Sequence, residues 1–393
     1  MRLLDPLPPP AHIGRYLVER RLGQGGMADI FLCRQVGMGG FDRLVVVKQI
    51  RPELRSRDDV IHMFLDEARI AAQISHPNVV QIIEIDEADG LPYIAMEYVR
   101  GLPLSVLLEA MLRRELLPPW DLVAAIGSQV CSGLHAAHEL RDSDGTLLNV
   151  VHRDISPANL LITTDGVVKI IDFGIARAKN RLARTATGHI KGRPAYLAPE
   201  MMSQGRVDRR ADLFALGAVL HELMRGRALF DRHDNASTIS AVMTAGVPPL
   251  SECRPDVPPQ LEEIIRRALC KDPEARFQTA AEMGAALHAV AMQTGRYVSP
   301  LHIAQYLERL LPLELAALPE QHLPTTARLP LPEHRPAPSR PTLISPRPLE
   351  QTTLLRTIQD ITERMAGLPR WQMPLLLALL AFASVLAAWS WLR

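Results

Sequence analysis

Asp154, Asn159 and Asp172 fall within one short stretch of the chain, in His152-Arg153-Asp154, Asn159 and Asp172-Phe173-Gly174. A carboxylate, a carboxamide and a second carboxylate in that order suit phosphoryl transfer. Asp154 is placed to orient a hydroxyl and accept its proton, while Asn159 and Asp172 offer the hard oxygens that Mg2+ takes when it bridges ATP phosphates. Either tripeptide alone is weak, because Asp-Phe-Gly is commoner as a turn than as a metal site. The ordered set requires a nucleotide-binding half upstream.

That half is legible. Leu22-Gly23-Gln24-Gly25-Gly26-Met27-Ala28 runs into the apolar Ile30-Phe31-Leu32, a strand, glycine turn and strand in which backbone N–H groups approach phosphate with no side chain between. Lys48 ends the β-branched run Val45-Val46-Val47, whose strand geometry aims alternate side chains into a cleft, and it is the expected clamp on the α- and β-phosphates. Glu67 lies in the helically spaced Met63-Phe64-Leu65-Asp66-Glu67-Ala68-Arg69-Ile70-Ala71, where it can pair with Lys48. Taken singly, Lys48 reads as well as a solvated strand-end lysine, and Glu67 as an exposed helix residue. Their order with the downstream set favours the paired reading.

These motifs, together with Ala198-Pro199-Glu200, resemble the eukaryotic-like serine/threonine protein kinases of bacteria. The resemblance covers roughly residues 14–290. It implies an α+β, bilobal protein kinase fold, with a small β-rich N-lobe carrying one key helix and a large, mainly helical C-lobe. It also implies ATP and Mg2+ as cofactors and proteins as substrates. Carried over, Met96 resembles the gatekeeper, Glu97-Tyr98-Val99 the hinge that hydrogen-bonds adenine, and Ile30, Val46 and Leu161 the apolar slot around the base. Asp212 resembles the buried acid that anchors the catalytic loop, and Arg276 the buried partner of Glu200. Arg153 resembles the arginine that pairs with a phosphate on the activation segment, where Thr185 and Thr187 are the hydroxyls in reach.

Two positions depart from that family. Ser156 stands where a lysine usually touches the γ-phosphate, and Arg193 stands where a threonine usually bonds the catalytic loop. Arg193 could restore from the other side of the cleft the charge missing at Ser156, or it could read an acidic substrate or face solvent. The chain lacks the Ala-Ala-Arg of tyrosine kinases, which favours serine and threonine as acceptors. An ATP-binding pseudokinase scaffold is the alternative reading, because of Ser156. A membrane adaptor working through its prolines would leave Lys48, Glu67, Asp154, Asn159 and Asp172 unexplained.

Composition agrees. The chain has 393 residues, 47% hydrophobic, enough for a two-lobed catalytic domain over 14–292, with the N-lobe at about 14–97 and the C-lobe at about 101–292. A balance of 44 basic against 43 acidic residues argues against nucleic acid as a partner. The four cysteines, Cys33, Cys131, Cys253 and Cys270, lack Cys-x-x-Cys spacing and read as buried reduced thiols. Residues 1–13, rich in proline, read as disordered and cannot form a signal helix. A short helical extension is expected over 293–311 and a proline-rich linker over 312–350.

The end of the chain changes class. Pro374 to Leu392 carries no charge and is long enough as a helix to cross a bilayer. Trp371, Trp389 and Trp391 sit where interfacial belts form, and Arg364 and Arg370 flank the cytosolic end. The expectation is a tail-anchored, single-pass protein of the cytoplasmic membrane with its kinase domain in the cytoplasm. Within the juxtamembrane segment 351–370, Leu354, Ile358, Ile361, Met365 and Leu368 share one helical face. That stripe could pair two chains as a homodimer at the membrane or lie on lipid.

Overall fold

Alternating burial along the first hundred residues builds the smaller lobe. The computed structural model describes residues 12–173, 193–203 and 207–320. Strands β1 (His12–Ile13), β2 (Tyr16–Gln24), β3 (Ala28–Val36), β4 (Asp42–Ile50), β5 (Ile82–Ala88) and β6 (Leu91–Glu97) form an antiparallel sheet in the order β1-β2-β3-β4-β6-β5. In β4 the period of two is decisive. Val45 and Val47 turn into a cluster with Tyr16, Val18, Cys33 and Tyr93, so Val46 and Lys48 face the other way, toward helix α1 (Asp58–Ala71) and the cleft. That helix packs Phe64 and Ala68 on Ala28, Ile50 and Ile94. Asp58 and Asp59 in its first turn favour the positive end of the helix dipole.

The larger lobe is wound around one helix. A second antiparallel sheet, β7 (Gly101–Pro103), β8 (Leu160–Thr163) and β9 (Val168–Ile170), lies beside α2 (Leu104–Arg113) and α3 (Trp120–His138). After α4 (Pro199–Met202) comes α5 (Arg210–Arg225), in which thirteen of sixteen residues are buried. A helix apolar nearly all round belongs in a core. It stops at Gly226, whose φ of 73° is left-handed and whose N–H bonds the Glu222 carbonyl at 2.7 Å, a glycine C-cap. Helices α6 (Asn235–Thr244), α7 (Pro259–Ala268) and α8 (Ala280–Gln293) complete the lobe, and α9 (Pro300–Leu310) and α10 (Pro312–Ala316) run on from it.

Three expectations need correction. His12–Ile13, placed in the disordered N-terminus, pairs with Leu17 and Tyr16. Residues 312–320, expected to open a linker, are instead seated on the large lobe: Leu311 is fully buried, Pro312 starts α10, and Leu315 and Leu318 pack on its core. Proline at the first helical position supports a helix there rather than ending one. Of the cysteines, Cys33 and Cys131 are buried, but Cys253 is exposed and Cys270 partly so. Residues 321–393, with the proline-rich remainder, the juxtamembrane stripe and Pro374 to Leu392, lie outside the described residues. Among the described residues no helix is long and apolar enough to cross a membrane.

Candidate active site

Lys48 reaches the cleft from β4 and meets two carboxylates there. Its Nζ lies 3.0 Å from Asp172 Oδ1 and 3.6 Å from Glu67 Oε1, the latter carried by α1. Burial alone would lower the Lys48 pKa, but Asp172 and Glu67 more than offset it and hold the ammonium above its ordinary value. In return Lys48 holds the Asp172 carboxyl below the usual carboxylate range. All the charge needed to grip phosphate and a divalent cation is therefore present at neutral pH.

The catalytic loop is held by a carboxylate beneath it. Asp212 of α5 accepts hydrogen bonds from the backbone N–H of His152 at 2.8 Å, the backbone N–H of Arg153 at 2.8 Å, and Nε2 of His138 at 2.8 Å. Burial would raise the Asp212 pKa, yet these donors leave it lowered. Arg153 has φ 64° and Asp172 φ 53°. Both are left-handed at non-glycine residues, a conformation costing on the order of 1–3 kcal/mol each that persists only where the surroundings impose it. Asp212 imposes the first.

His152 links the two motifs. Its Nδ1 accepts from the Asp154 N–H at 3.2 Å, and its Nε2 faces the Ile171 carbonyl at 3.0 Å. Those partners assign a neutral ring with the proton on Nε2, and burial lowers its pKa. The ring also packs on Phe173, with centroids 4.6 Å apart. Asn159 turns its amide nitrogen to the Asp154 carbonyl at 2.8 Å and to Asp154 Oδ2 at 3.0 Å. Its amide oxygen is then the atom available to a cation.

The donor set fits Mg2+. Among the described residues no cluster of three or more His, Cys, Asp or Glu could hold a metal. One carboxylate, Asp172, and one amide oxygen, Asn159, suit an ion that keeps most of its shell in phosphate oxygens and water.

Other expected residues fall around the same cleft. Leu22, Gly23 and Gln24 end β2, Gly25 N–H bonds the Ala28 carbonyl at 2.8 Å, and the turn holding Gly26 and Met27 is open at Gln24, Gly25 and Gly26. Ile30 lies opposite Lys48, and Val46 opposite Met96. Met96, Lys48, Glu67, Asp172 and Phe173 share a cavity of about 40 Å³. On β8, Leu160 and Ile162 are buried and Leu161 lies between them on the other, half-buried face. Glu97 is tied through its side chain to Lys169 Nζ at 2.6 Å and to the Gln81 N–H at 2.9 Å. Val99 lies two residues on, in the segment joining the lobes. Glu200 and Arg276 form the buried pair expected of them, at 2.7 and 2.8 Å.

The two departures from the family differ in exposure. Ser156 is buried, whereas Arg193 is exposed, and its charge acts on Tyr196 and Glu222, opposing the burial that raises both of their pKa values. Tyr196 donates to Glu222 Oε2 at 2.6 Å. Thr185 and Thr187 lie outside the described residues. His138, Tyr196 and Glu222 were not singled out from the sequence. Only the burial of the α3 face, with Val130, Leu134 and Ala137, points to His138.

Comparison with known proteins agrees with this geometry. The protein kinase domain profile matches residues 16–287. The chain is 44% identical over 274 residues to "Tyrosine-protein kinase MasK" of Myxococcus xanthus, covering 70% of this chain and 42% of that protein. It is 36% identical to "Serine/threonine-protein kinase PrkC" of Bacillus subtilis, covering 69% and 40%, and 32% identical to "Serine/threonine-protein kinase PknL" of Mycobacterium tuberculosis, covering 77% and 73%. It thus spans well under half the length of the first two. The crystal structure of the Mycobacterium tuberculosis PknI kinase domain superposes with a TM-score of 0.54 at 28% identity, covering 72% of this chain and 98% of that one. With the family profile matched over most of its length and Lys48, the catalytic loop and Asp172-Phe173 converging on one cleft, the chain belongs to the protein kinase family.

Proposed function

We propose that this protein transfers the γ-phosphoryl group of Mg-ATP to hydroxyl groups of protein substrates, chiefly serine and threonine. The observation that carries this is the convergence of Lys48, Glu67 and Asp172 at 3.0 and 3.6 Å, beside an Asp154 whose carboxylate is fixed by Asn159 at 3.0 Å. Lys48 binds and orients the phosphates, and Glu67 keeps it in place. Asp172 and Asn159 would hold Mg2+, which would supply charge neutralisation for the phosphates. Asp154 orients the acceptor hydroxyl and takes its proton. Nearly all of the rate then comes from positioning and fixed charge.

Tyrosine as acceptor is the second reading. It is favoured by the 44% identity to a protein named a tyrosine kinase and by the loss of the usual lysine and threonine at Ser156 and Arg193. Phosphoamino-acid analysis of the autophosphorylated chain separates the two. Phosphoserine and phosphothreonine are expected, and phosphotyrosine alone would replace the first reading by the second. Lys48→Met should leave a folded protein without transfer, and transfer at the wild-type rate by that variant would refute the assignment of the clamp.

The same proposal places Arg153 as the receiver of phosphate on Thr185 or Thr187, and Pro374 to Leu392 as a single membrane span with the kinase domain on the cytoplasmic side, where the stripe of 351–370 pairs two chains. Its support is the uncharged length of that segment and its flanking Trp and Arg residues. Removal of residues 371–393 should move the protein from the membrane pellet to the soluble fraction. Retention in the pellet would overturn the span.

A further inference from the structure

The segment joining the lobes carries an attachment that the phosphoryl-transfer chemistry does not use. Tyr98 stands between Glu97 and Val99, and its hydroxyl donates to the Pro319 carbonyl at 3.3 Å, across 221 positions of sequence. Two residues on, the Arg100 guanidinium lies 3.7 Å from Glu320. Arg113 of α2 lies 3.9 Å from Glu314. Between these polar ties, Leu311 is fully buried and Leu315 and Leu318 pack on the core of the large lobe. Residues 311–320 therefore form a strap that starts from α9 and ends on the segment between the lobes.

The helix that leads into the strap is seated as well. At the start of α9, the Pro300 carbonyl sits so close to Gly166 that a Cβ there would collide with it, and Gly166 has φ 78°. Gly166 belongs to the β8–β9 turn, in which the Thr164 N–H bonds the Arg100 carbonyl at 3.0 Å. The far end of the strap thus bears on Tyr98 and Arg100 directly, and the start of α9 bears on the turn that holds the Arg100 carbonyl. Tyr98 is also close enough to Arg20, on the strand that carries the glycine turn, for that charge to oppose the burial that raises its pKa.

We infer that residues 311–320 are a positioning element for nucleotide: by gripping Tyr98 and Arg100 they fix the backbone of Glu97 and Val99 in the conformation that receives adenine. The inference rests on the reading of the cleft as a Mg-ATP site. Fixing a binding segment in advance raises affinity by removing the ordering cost at the moment of binding. It contributes little to the chemical step, because Asp154, Asn159 and Asp172 are held separately by Asp212, His152 and Lys48. The expected signature is therefore in KM for ATP and in nucleotide Kd, with kcat nearly unchanged.

The test uses the full chain carrying Leu315→Asp with Leu318→Asp, which sets charges against the apolar contacts that seat the strap. Hydrogen exchange should show residues 311–320 released. KM for ATP and Kd for Mg-ADP should rise about five- to tenfold, with kcat at saturating ATP within about twofold of wild type. Tyr98→Phe should give part of that rise in the wild-type background and none in the released one, since the two act through the same contact. A released strap with unchanged KM and Kd overturns the inference, and so does a strap that stays seated when both leucines are replaced. Failure of the wild-type chain to bind Mg-ADP at all would instead overturn the reading of the cleft.

Discussion

Replacing Asp212 by Asn probes how much of the active site is held from below. An Asn placed with its oxygen at the position of Oδ2 keeps the bonds from His138 and from the His152 N–H, both of which go to that atom. Its NH2 then occupies the position of Oδ1 and faces the Arg153 N–H, donor against donor. Losing one charge-assisted bond in a buried site costs about 1.5–3 kcal/mol. Without it, the left-handed Arg153, at φ 64°, is free to relax strain of order 1–3 kcal/mol, at the expense of the loop geometry. The expected loss of stability is about 2–3 kcal/mol. A shift of the Asp154 carboxylate by even 1 Å lowers kcat on the order of a hundredfold.

The same substitution has a pH signature. Because the folded-state pKa of Asp212 is lowered, its contribution is full above the ordinary carboxyl pKa near 4 and is lost as pH falls through the folded value. The stability gap between wild type and Asp212→Asn should thus be constant from pH 5 to 8 and narrow below about pH 4. Urea unfolding across pH, with single-turnover phosphoryl transfer at pH 7, measures both. A variant within about 0.5 kcal/mol of wild type, with unchanged kcat, would refute the account of how the loop is held.

Three further outcomes follow from buried contacts. Arg276 spends Nε, Nη1 and Nη2 on the Glu200 carboxylate and on the carbonyls of Cys270, Arg210 and Lys271, so Arg276→Lys should cost about 3–5 kcal/mol in urea unfolding. Gly166→Ala combines positive φ with collision against the Pro300 carbonyl, so it should cost at least about 1–3 kcal/mol and raise hydrogen exchange across α9. A thiol reagent at pH 8 should modify Cys253 first, then Cys270, and leave Cys33 and Cys131 until unfolding, because burial pushes the Cys33 thiol up to about 12 and raises Cys131 as well. Prompt modification of all four would show that the core opens readily.

The catalytic half was legible because its residues are fixed by chemistry at short range. Val45-Val46-Val47-Lys48 alternates as a strand must, and Glu67 lies on a helix whose apolar face is plain. The anchoring role of Asp212 was legible through the resemblance, but the left-handed Arg153 that its carboxylate holds is a long-range consequence of α5 running beneath the loop, and no local pattern reports it. The strap was missed for a different reason. Prolines from Pro312 onward read as linker by composition, whereas Pro312 opens a helix and Leu311, Leu315 and Leu318 find partners far away in sequence. In the structure Ser156 is buried and Arg193 exposed, a difference that the order of the motifs does not report.

The central claim is tested most directly by following radiolabelled phosphate from Mg-[γ-32P]ATP into protein, with the wild-type chain and with Asp154→Asn at equal concentration and equal fraction folded. The wild-type chain should label itself, and Asp154→Asn should bind Mg-ADP as tightly while losing transfer by a factor of a hundred or more, on the order expected for loss of the base and its orientation of the hydroxyl. Transfer by Asp154→Asn at the wild-type rate would contradict the mechanism, and nucleotide binding without transfer by the wild-type chain would make it a pseudokinase.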